Sequence, residues 1–380
     1  MMLRPLMRRL RRALAYTDPL ITVSISKERL LRNLRAYREA YPDLRIAPVL
    51  KSNAYGHGLT LVAELLDKEG VAFFMVDSLF EAKALRRSGI RSRILVMGYV
   101  RPEYIADRAV RDTDYAIVDL EQLRELSALA HKAVRVHLEL DTGMHRNGIL
   151  PRDLGEAIAL ARSNPHIRVV GVGAHLADAD NPDPAFTNRQ LSAWRECLKQ
   201  AEAAFPSLEY RHTAATKGVR FRENAPMDTA RIGMGLFGYD TSPGTGVPLT
   251  PVLSLRSSIT SLREIPAGDS VGYNAAFTAA RPSRIATVPV GYFEGLDRRL
   301  SNQGAVLVRG QACPIAGRVS MNMVSIDVTD VPEADRGDEV LVISHDAADP
   351  NSVASIARLC GDSPYVILAH IPAHLRRTAK

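Results

Sequence analysis

From about residue 46 to 240 the chain alternates between two kinds of segment, and this alternation limits its fold more than any other feature. Short apolar runs rich in Val, Ile and Leu are each followed by a longer amphipathic stretch. IAPVL (46–50) precedes a stretch beginning near Gly58. AFFMV (72–76), RILVMG (93–98), YAIVDL (115–120), VRVHLEL (134–140) and IRVVGVGAHL (167–176) repeat the pattern. LEYRHT (208–213) and TARIGMGLFG (229–238) bring the strand candidates to eight. Short apolar runs alternating with helical periodicity predict parallel strands joined by crossover helices. Eight such units in roughly 200 residues predict a (β/α)₈ barrel. A doubly wound open sheet is the alternative. No GxGxxG follows the first strand, which counts against a dinucleotide-binding version.

After about residue 250 the period changes. LSLRSSITSLREI, SRIATVPV, GAVLVRG, MVSIDVT and DEVLVIS are short β-rich runs punctuated by Pro and Gly, the pattern of a mainly antiparallel β domain. The loop-like segment SPGTGVPLTP (242–251) is the junction. The predicted organisation is a basic extension over residues 1–17, a barrel domain over 18–250 and a β domain over 251–380. ITVSI (21–25) reads as a strand that could join either domain.

With 380 residues the chain is long enough for two cores. No apolar run is long enough to span a bilayer. The formal net charge of +7 suits an anionic ligand. Much of that excess lies in MMLRPLMRRLRRALAY at the N-terminus, without an aromatic-rich basic patch, so nucleic acid is not the expected partner. The leader could form a basic amphipathic helix at a membrane surface, but it is read as a solvated extension. Cys197, Cys313 and Cys360 are far apart and odd in number, which predicts neither a zinc site nor a disulfide framework. A reducing, cytoplasmic location follows.

The sharpest local signal is IAPVLKSNAYGHG (46–58). Lys51 ends an apolar strand, where a barrel presents side chains to its C-terminal mouth. Beside apolar neighbours a lysine can lose its proton and act as a nucleophilic amine. On charge and position alone, a solvated and idle lysine is the commoner outcome.

The wider string resembles the K-x-N-A-Y-G-H-G segment of the alanine racemase family, matched by Lys51, Asn53, Ala54, Tyr55, Gly56, His57 and Gly58. The resemblance runs over nearly the whole chain after residue 20. It implies that Lys51 carries pyridoxal 5′-phosphate (PLP). DTGMHRNG (141–148) is similar to D-T-G-M-x-R, which implies that Arg146 lies near the substrate carboxylate. A guanidinium suits that role because it can bind a carboxylate with two bonds. GVGAHLADAD (171–180) resembles the sixth-strand segment that sets His175 beside the cofactor. RHTAAT (211–216) resembles H-T-A-N-S, with Thr216 in place of a phosphate-binding Ser and Ala215 in place of a common Asn.

TARIGMGLFG resembles R-x-G-x-x-x-Y/F-G. It implies phosphate binding by the amides of Gly233 and Met234, and contact between Arg231 and the pyridine nitrogen. An arginine there stays protonated and leaves that nitrogen an acceptor, so the ring withdraws fewer electrons than it would opposite a carboxylate. DSVGYNAAFTA (269–279) resembles V-G/S-Y-G-x-x-F/Y-T and makes Tyr273 the second base, which family homodimers supply from the partner subunit. PVGYFEGLDR (289–298) sets Tyr292 near the substrate entrance. GRVSMN (317–322) sets the backbone of Met321 at the substrate carboxylate, and PYVIL (364–368) sets Tyr365 at the phosphate, the other groups implied there including Tyr55.

The resemblance therefore implies interconversion of L- and D-alanine by two bases, Lys51 and Tyr273, on opposite faces of Cα, supplying D-alanine for peptidoglycan. No metal is expected. Racemisation of serine or of a broader set of amino acids, or a non-catalytic PLP-binding role, are the alternatives. A decarboxylase of basic amino acids is disfavoured by Arg231, and a single-barrel PLP-homeostasis protein by the segment 251–380.

Four further positions depart from the family pattern. Glu139 stands where many members have a lysine that is often carbamylated, and is expected to orient Arg146 by a charge-assisted bond. His145 replaces a glycine, Glu294 an aspartate, and Asn322 an aspartate after the methionine. These bear on substrate preference more than on reaction type.

Overall fold

The structure, a computed structural model, describes residues 19–240 and 246–380. The Arg-rich leader and part of the junction segment lie outside the described residues. The chain divides into two compact units. One is residues 26–252 with the last two residues, and the other is residues 253–378 with the segment ending at Ile25.

The first unit is the parallel barrel. In chain order, β1 (Thr22–Ile25) precedes α1 (Lys27–Ala40), β2 (Arg45–Pro48), α2 (Leu59–Leu66), β3 (Phe74–Val76) and α3 (Leu79–Arg87). Then come β4 (Ile94–Val96), α4 (Pro102–Arg108), β5 (Thr113–Ile117), α5 (Leu120–Leu129), β6 (Val134–Leu140) and α6 (Leu154–Ser163). β7 (Ile167–Ala174), α7 (Ala185–Ala204), β8 (Tyr210–His212) and β9 (Thr229–Ile232) complete it. Strands β3 to β8 form one parallel sheet in sequence order, and β2 pairs in parallel with β9. Single parallel bridges, Val49 to Met75 and Ala215 to Arg231, close the ring. Closure leaves no sheet edge.

The helix starts are written locally. Ser78 and Glu81 form a capping box at α3, Asp119 caps α5 by accepting from the Gln122 amide, and Ser26 caps α1. The expected seventh strand–helix unit is modified, since only a 3₁₀ turn (Thr216–Phe221) follows β8, the seventh barrel strand. α1, which comes before the barrel strands, bonds instead to the turn after β9: Asn33 Nδ2 donates to the Leu236 carbonyl at 2.9 Å.

Alternate residues of the strands point inward and fill the barrel. Ala47, Val49, Phe73, Met75, Leu95, Ala116, Val118 and Tyr210 form one buried cluster, the packed centre that such barrels require. Among them lie polar groups that the apolar pattern did not reveal. Gly171 and Gly173 on β7 face this interior, and a Cβ on either would collide with His137 or His212.

The second unit is mainly antiparallel. It comprises β10 (Leu253–Ser258), β11 (Ser261–Ile265), β12 (Ser270–Val271), β13 (Phe277–Thr278), β14 (Ser283–Val288), β15 (Ala305–Val308) and β16 (Gln311–Pro314). β17 (Val324–Asp327), β18 (Glu339–Ile343), helices α8 (Val353–Cys360) and α9 (Pro364–Ala369), and β19 (Arg376–Ala379) follow. The larger sheet has the order β16-β15-β18-β10-β1-β19. β1 therefore belongs with the β unit, pairing antiparallel with β10 from Thr22–Arg256 to Ile25–Leu253. A smaller sheet has the order β11-β14-β17, and β12 pairs with β13.

Candidate active site

Lys51 lies three residues beyond the end of β2 and is half-buried at the C-terminal end of the barrel. The four residues after it, Ser52 to Tyr55, all have φ between 51° and 56°. A left-handed run of non-glycine residues costs about 1–2 kcal/mol per residue, so surrounding bonds must hold it. The Asn53 side chain accepts from the Leu59 amide at 2.9 Å. Glu81 Oε1 accepts from the Ser52 amide at 2.8 Å, while its Oε2 accepts from the Asp77 amide. The buried His57 ring stacks on Phe237 with centroids 4.0 Å apart. The turn holds the backbone beside Lys51 rigidly, and such stored strain is typical of functional sites.

Arg231, on β9, is almost fully buried. Its Nη2 donates to Nδ1 of His175 at 3.0 Å and to the Ala174 carbonyl, and its Nη1 lies 3.3 Å from Nδ1 of His212. Its ion-pair partner is Glu139, at 3.7 Å. The expectation that Glu139 bonds to Arg146 is corrected here. Glu139 projects from β6 in the same inward register as Arg135 and His137, and so meets the buried guanidinium. Arg146 lies in the exposed loop after β6 and acts on Glu139 through charge alone. Burial raises the Glu139 pKa, and the charges of Arg231 and Arg146 pull it back.

Burial, followed by the charges of Arg231, Arg146 and Lys51, pushes His175 down to about 3. It is therefore neutral at physiological pH, accepting at Nδ1 and keeping its proton on Nε2. Four of the residues singled out in the sequence, Lys51, Arg146, His175 and Arg231, thus converge on one electrostatic neighbourhood.

Behind Arg231 runs a chain of partners that sequence reasoning missed. His212 Nε2 lies 2.8 Å from His137 Nδ1, and His137 Nε2 lies 3.3 Å from Asp114 Oδ2. Asp114 also accepts from Arg93 and Arg135, both at 2.9 Å. Burial opposes ionisation of Asp114, but His137 and Arg135 hold its carboxyl down at about 2. The sequence signal was present in VRVHLEL, where Arg135, His137 and Glu139 alternate with apolar residues. In a barrel strand that alternation puts three polar groups into the interior.

Thr216 Oγ1 accepts from the amides of Gly233 and Gly235, both at 3.3 Å. Gly233 is required here because a Cβ would lie 2.7 Å from the Tyr55 hydroxyl. Tyr55, Thr216, Gly233 and Met234 thus surround a run of backbone amides that a side chain would fill. This donor set fits an anion such as a phosphate group.

In the loop after β6, Asp141 Oδ1 accepts from the amides of Gly143, Met144 and His145 at 2.9–3.0 Å. His145 adopts a left-handed backbone (φ 54°) and points to solvent, with Nδ1 3.6 Å from Asp141 Oδ2. The glycine it replaces would take that conformation without strain.

In the β unit, Tyr273 is 68% exposed on a turn whose backbone abuts Gly317 and Arg318. Asn302 ties the two segments, donating to the Ala276 carbonyl and accepting from the Gly317 amide, both at 2.6 Å. Tyr292 and Met321 are also exposed and lie on adjoining segments, with the Tyr292 amide donating to the Ser320 carbonyl at 3.0 Å. Tyr365 is carried on α9 and is partly exposed. No group of metal-ligating side chains occurs among the described residues.

The family model described as alanine racemase, N-terminal domain, matches residues 25–241, and that described as alanine racemase, C-terminal domain, matches residues 252–379. The chain belongs to the alanine racemase family. An alanine racemase of Syntrophobacter fumaroxidans is 38% identical over 342 residues, covering 89% of this chain and 91% of the relative. One of Sorangium cellulosum is 37% identical over 340 residues, covering 87% and 90%. Among solved structures, alanine racemase from a D-cycloserine-producing Streptomyces lavendulae superposes with a TM-score of 0.87 at 30% identity, covering 96% of this chain and 98% of that one. The biosynthetic alanine racemase of Pseudomonas aeruginosa gives 0.82 at 32% identity, covering 95% and 99%. The alanine racemase family's two-part organisation thus extends over nearly all described residues.

Proposed function

We propose that this chain is an isomerase that interconverts L- and D-alanine with PLP bound through Lys51. One observation carries the reading: Lys51, Arg146 and Arg231 converge on a single neutral histidine, His175, at the mouth of a family barrel. The amine suits a covalent carbonyl cofactor. The amides of Gly233 and Met234, with Thr216, Tyr55 and Tyr365, suit its phosphate, and Arg231 suits its pyridine nitrogen. When bound, PLP supplies the electron-withdrawing ring that makes the Cα proton of an amino acid removable.

The protein's own groups then do the rest. Lys51 takes or returns the Cα proton on one face and the Tyr273 phenol does so on the other. Tyr273 comes from the partner subunit of a homodimer, and its 68% exposure within its own chain is in keeping with that. Arg146 and the Met321 amide hold the substrate carboxylate, and Tyr292 flanks the approach. The buried Arg231 remains a cation held by Glu139 and His175, so it would donate to the ring nitrogen without protonating it. Cys197, Cys313 and Cys360 are all free and buried, which supports a reducing, cytoplasmic setting. No helix among the described residues is long and apolar enough to cross a membrane. The D-alanine formed supplies peptidoglycan synthesis.

Chiral chromatography across alanine, serine, lysine and glutamate tests the reading, with alanine the preferred substrate. Lys51→Ala removes both racemisation and the absorbance of covalently held PLP; turnover by that variant would refute the scheme. Tyr273→Phe slows the two directions unequally, and equal mild losses would argue against two bases.

A further inference from the structure

Two of the departures from the family pattern, Glu294 and Asn322, are 28 residues apart in sequence and in direct contact in the structure. Asn322 Nδ2 donates to Glu294 Oε1 at 2.7 Å, and the other oxygen, Oε2, accepts from the Gly291 amide at 2.9 Å. Glu294 is buried. A buried carboxylate must be met by donors, and here each oxygen has one. Were residue 322 an aspartate, two carboxyl groups at this distance would have to share a proton. The asparagine removes that conflict by supplying a donor to Glu294.

The pair fastens two short segments together. The amides of Tyr292 and Phe293 donate to the carbonyls of Ser320 and Met321 at 3.0 and 2.9 Å. Gly291 lies flat against those carbonyls, where a Cβ would collide. With these carbonyls engaged, what the loop still offers is donors: among the described residues, the amides of Met321 and Asn322 donate to no other group. Successive free amides of this kind make an anion-binding concavity.

We propose that the Glu294–Asn322 pair is a positioning device that holds the Met321 amide and Tyr292 in register for the substrate carboxylate. This rests on the reading of the chain as an alanine racemase. Neither residue touches substrate. Each acts through the loop, and its effect falls on substrate binding more than on the proton transfers.

The test is an amide–carboxylate exchange in the full-length holoenzyme. Glu294→Gln leaves one acceptor oxygen for two donors, and Asn322→Asp sets two carboxyls together. Each single change raises the KM for L-alanine about three- to tenfold while kcat stays within about twofold, the scale of one ordinary hydrogen bond. The double variant Glu294→Gln/Asn322→Asp returns KM to within about twofold of wild type, since the new amide donates to the new carboxylate and its oxygen still accepts from Gly291. Asn322→Ala, which adds no charge, raises KM like the single variants and guards against misfolding of the aspartate variant. Additive losses in the double variant, or a fall in kcat with KM unmoved, would overturn the proposal. A wild-type enzyme inactive on alanine would instead overturn the functional reading.

Discussion

Arg231 donates from Nη2 to Nδ1 of His175 across 3.0 Å, and this bond dictates the tautomer of a histidine that carries no charge at neutral pH. The folded pKa of His175, about 3, lies below its ordinary 6.5. Between those values the unfolded chain binds a proton that the folded chain refuses. Stability from this group is therefore full above pH 6.5 and is lost as pH falls toward 3. His175→Gln should melt less steeply than wild type across that window. Parallel melting curves for the two proteins would contradict the assignment.

Glu139 and Arg231 should be coupled in stability. Removing the guanidinium in Arg231→Met strands a buried carboxylate and costs about 3–5 kcal/mol. Adding Glu139→Gln removes the stranded charge, so the double variant should be less destabilised than the sum of the singles. Urea denaturation of the four proteins measures the coupling, and strict additivity would deny the pair any role.

Asp114 works in the same pH direction, in a more acidic window. Its folded pKa, about 2, is below the ordinary 3.8, so its contribution is present above pH 3.8 and is lost as pH falls through 2. Asp114→Asn should cost about 3 kcal/mol at pH 7, and the gap to wild type should close in acid. It also weakens the partner of His137, so a fall in activity is expected although Asp114 lies far behind Arg231 in the hydrogen-bonded chain. An unchanged difference in stability from pH 7 to pH 2 would count against the chain as described.

Gly233→Ala would bring a methyl group to 2.7 Å from the Tyr55 hydroxyl. Absorbance titration should show PLP binding weakened by tenfold or more, on the order of 1–3 kcal/mol of overpacking. Tyr55→Phe, which removes the obstructing oxygen, should recover part of the loss in the double variant. Full affinity in Gly233→Ala alone would show that the phosphate is held elsewhere.

By itself the sequence determined the architecture and the main candidates. Strand and helix periods are local properties of the backbone, so the barrel strands, the change to antiparallel pairing after residue 250 and the place of Lys51 after β2 could be read directly. Tertiary structure alone decided which long-range partners meet. β1 joined the β unit because its free edge pairs with β10. The eighth helix position went to α1, which lies before the strands it completes. Barrel closure turned Glu139 toward Arg231, because inward side chains from opposite strands share one interior while the loop carrying Arg146 leaves it. The same convergence built the chain from Arg231 through His212 and His137 to Asp114. Periodicity tells which face a residue occupies. Its partner is set by strand register and ring closure, which bring together residues from distant parts of the chain.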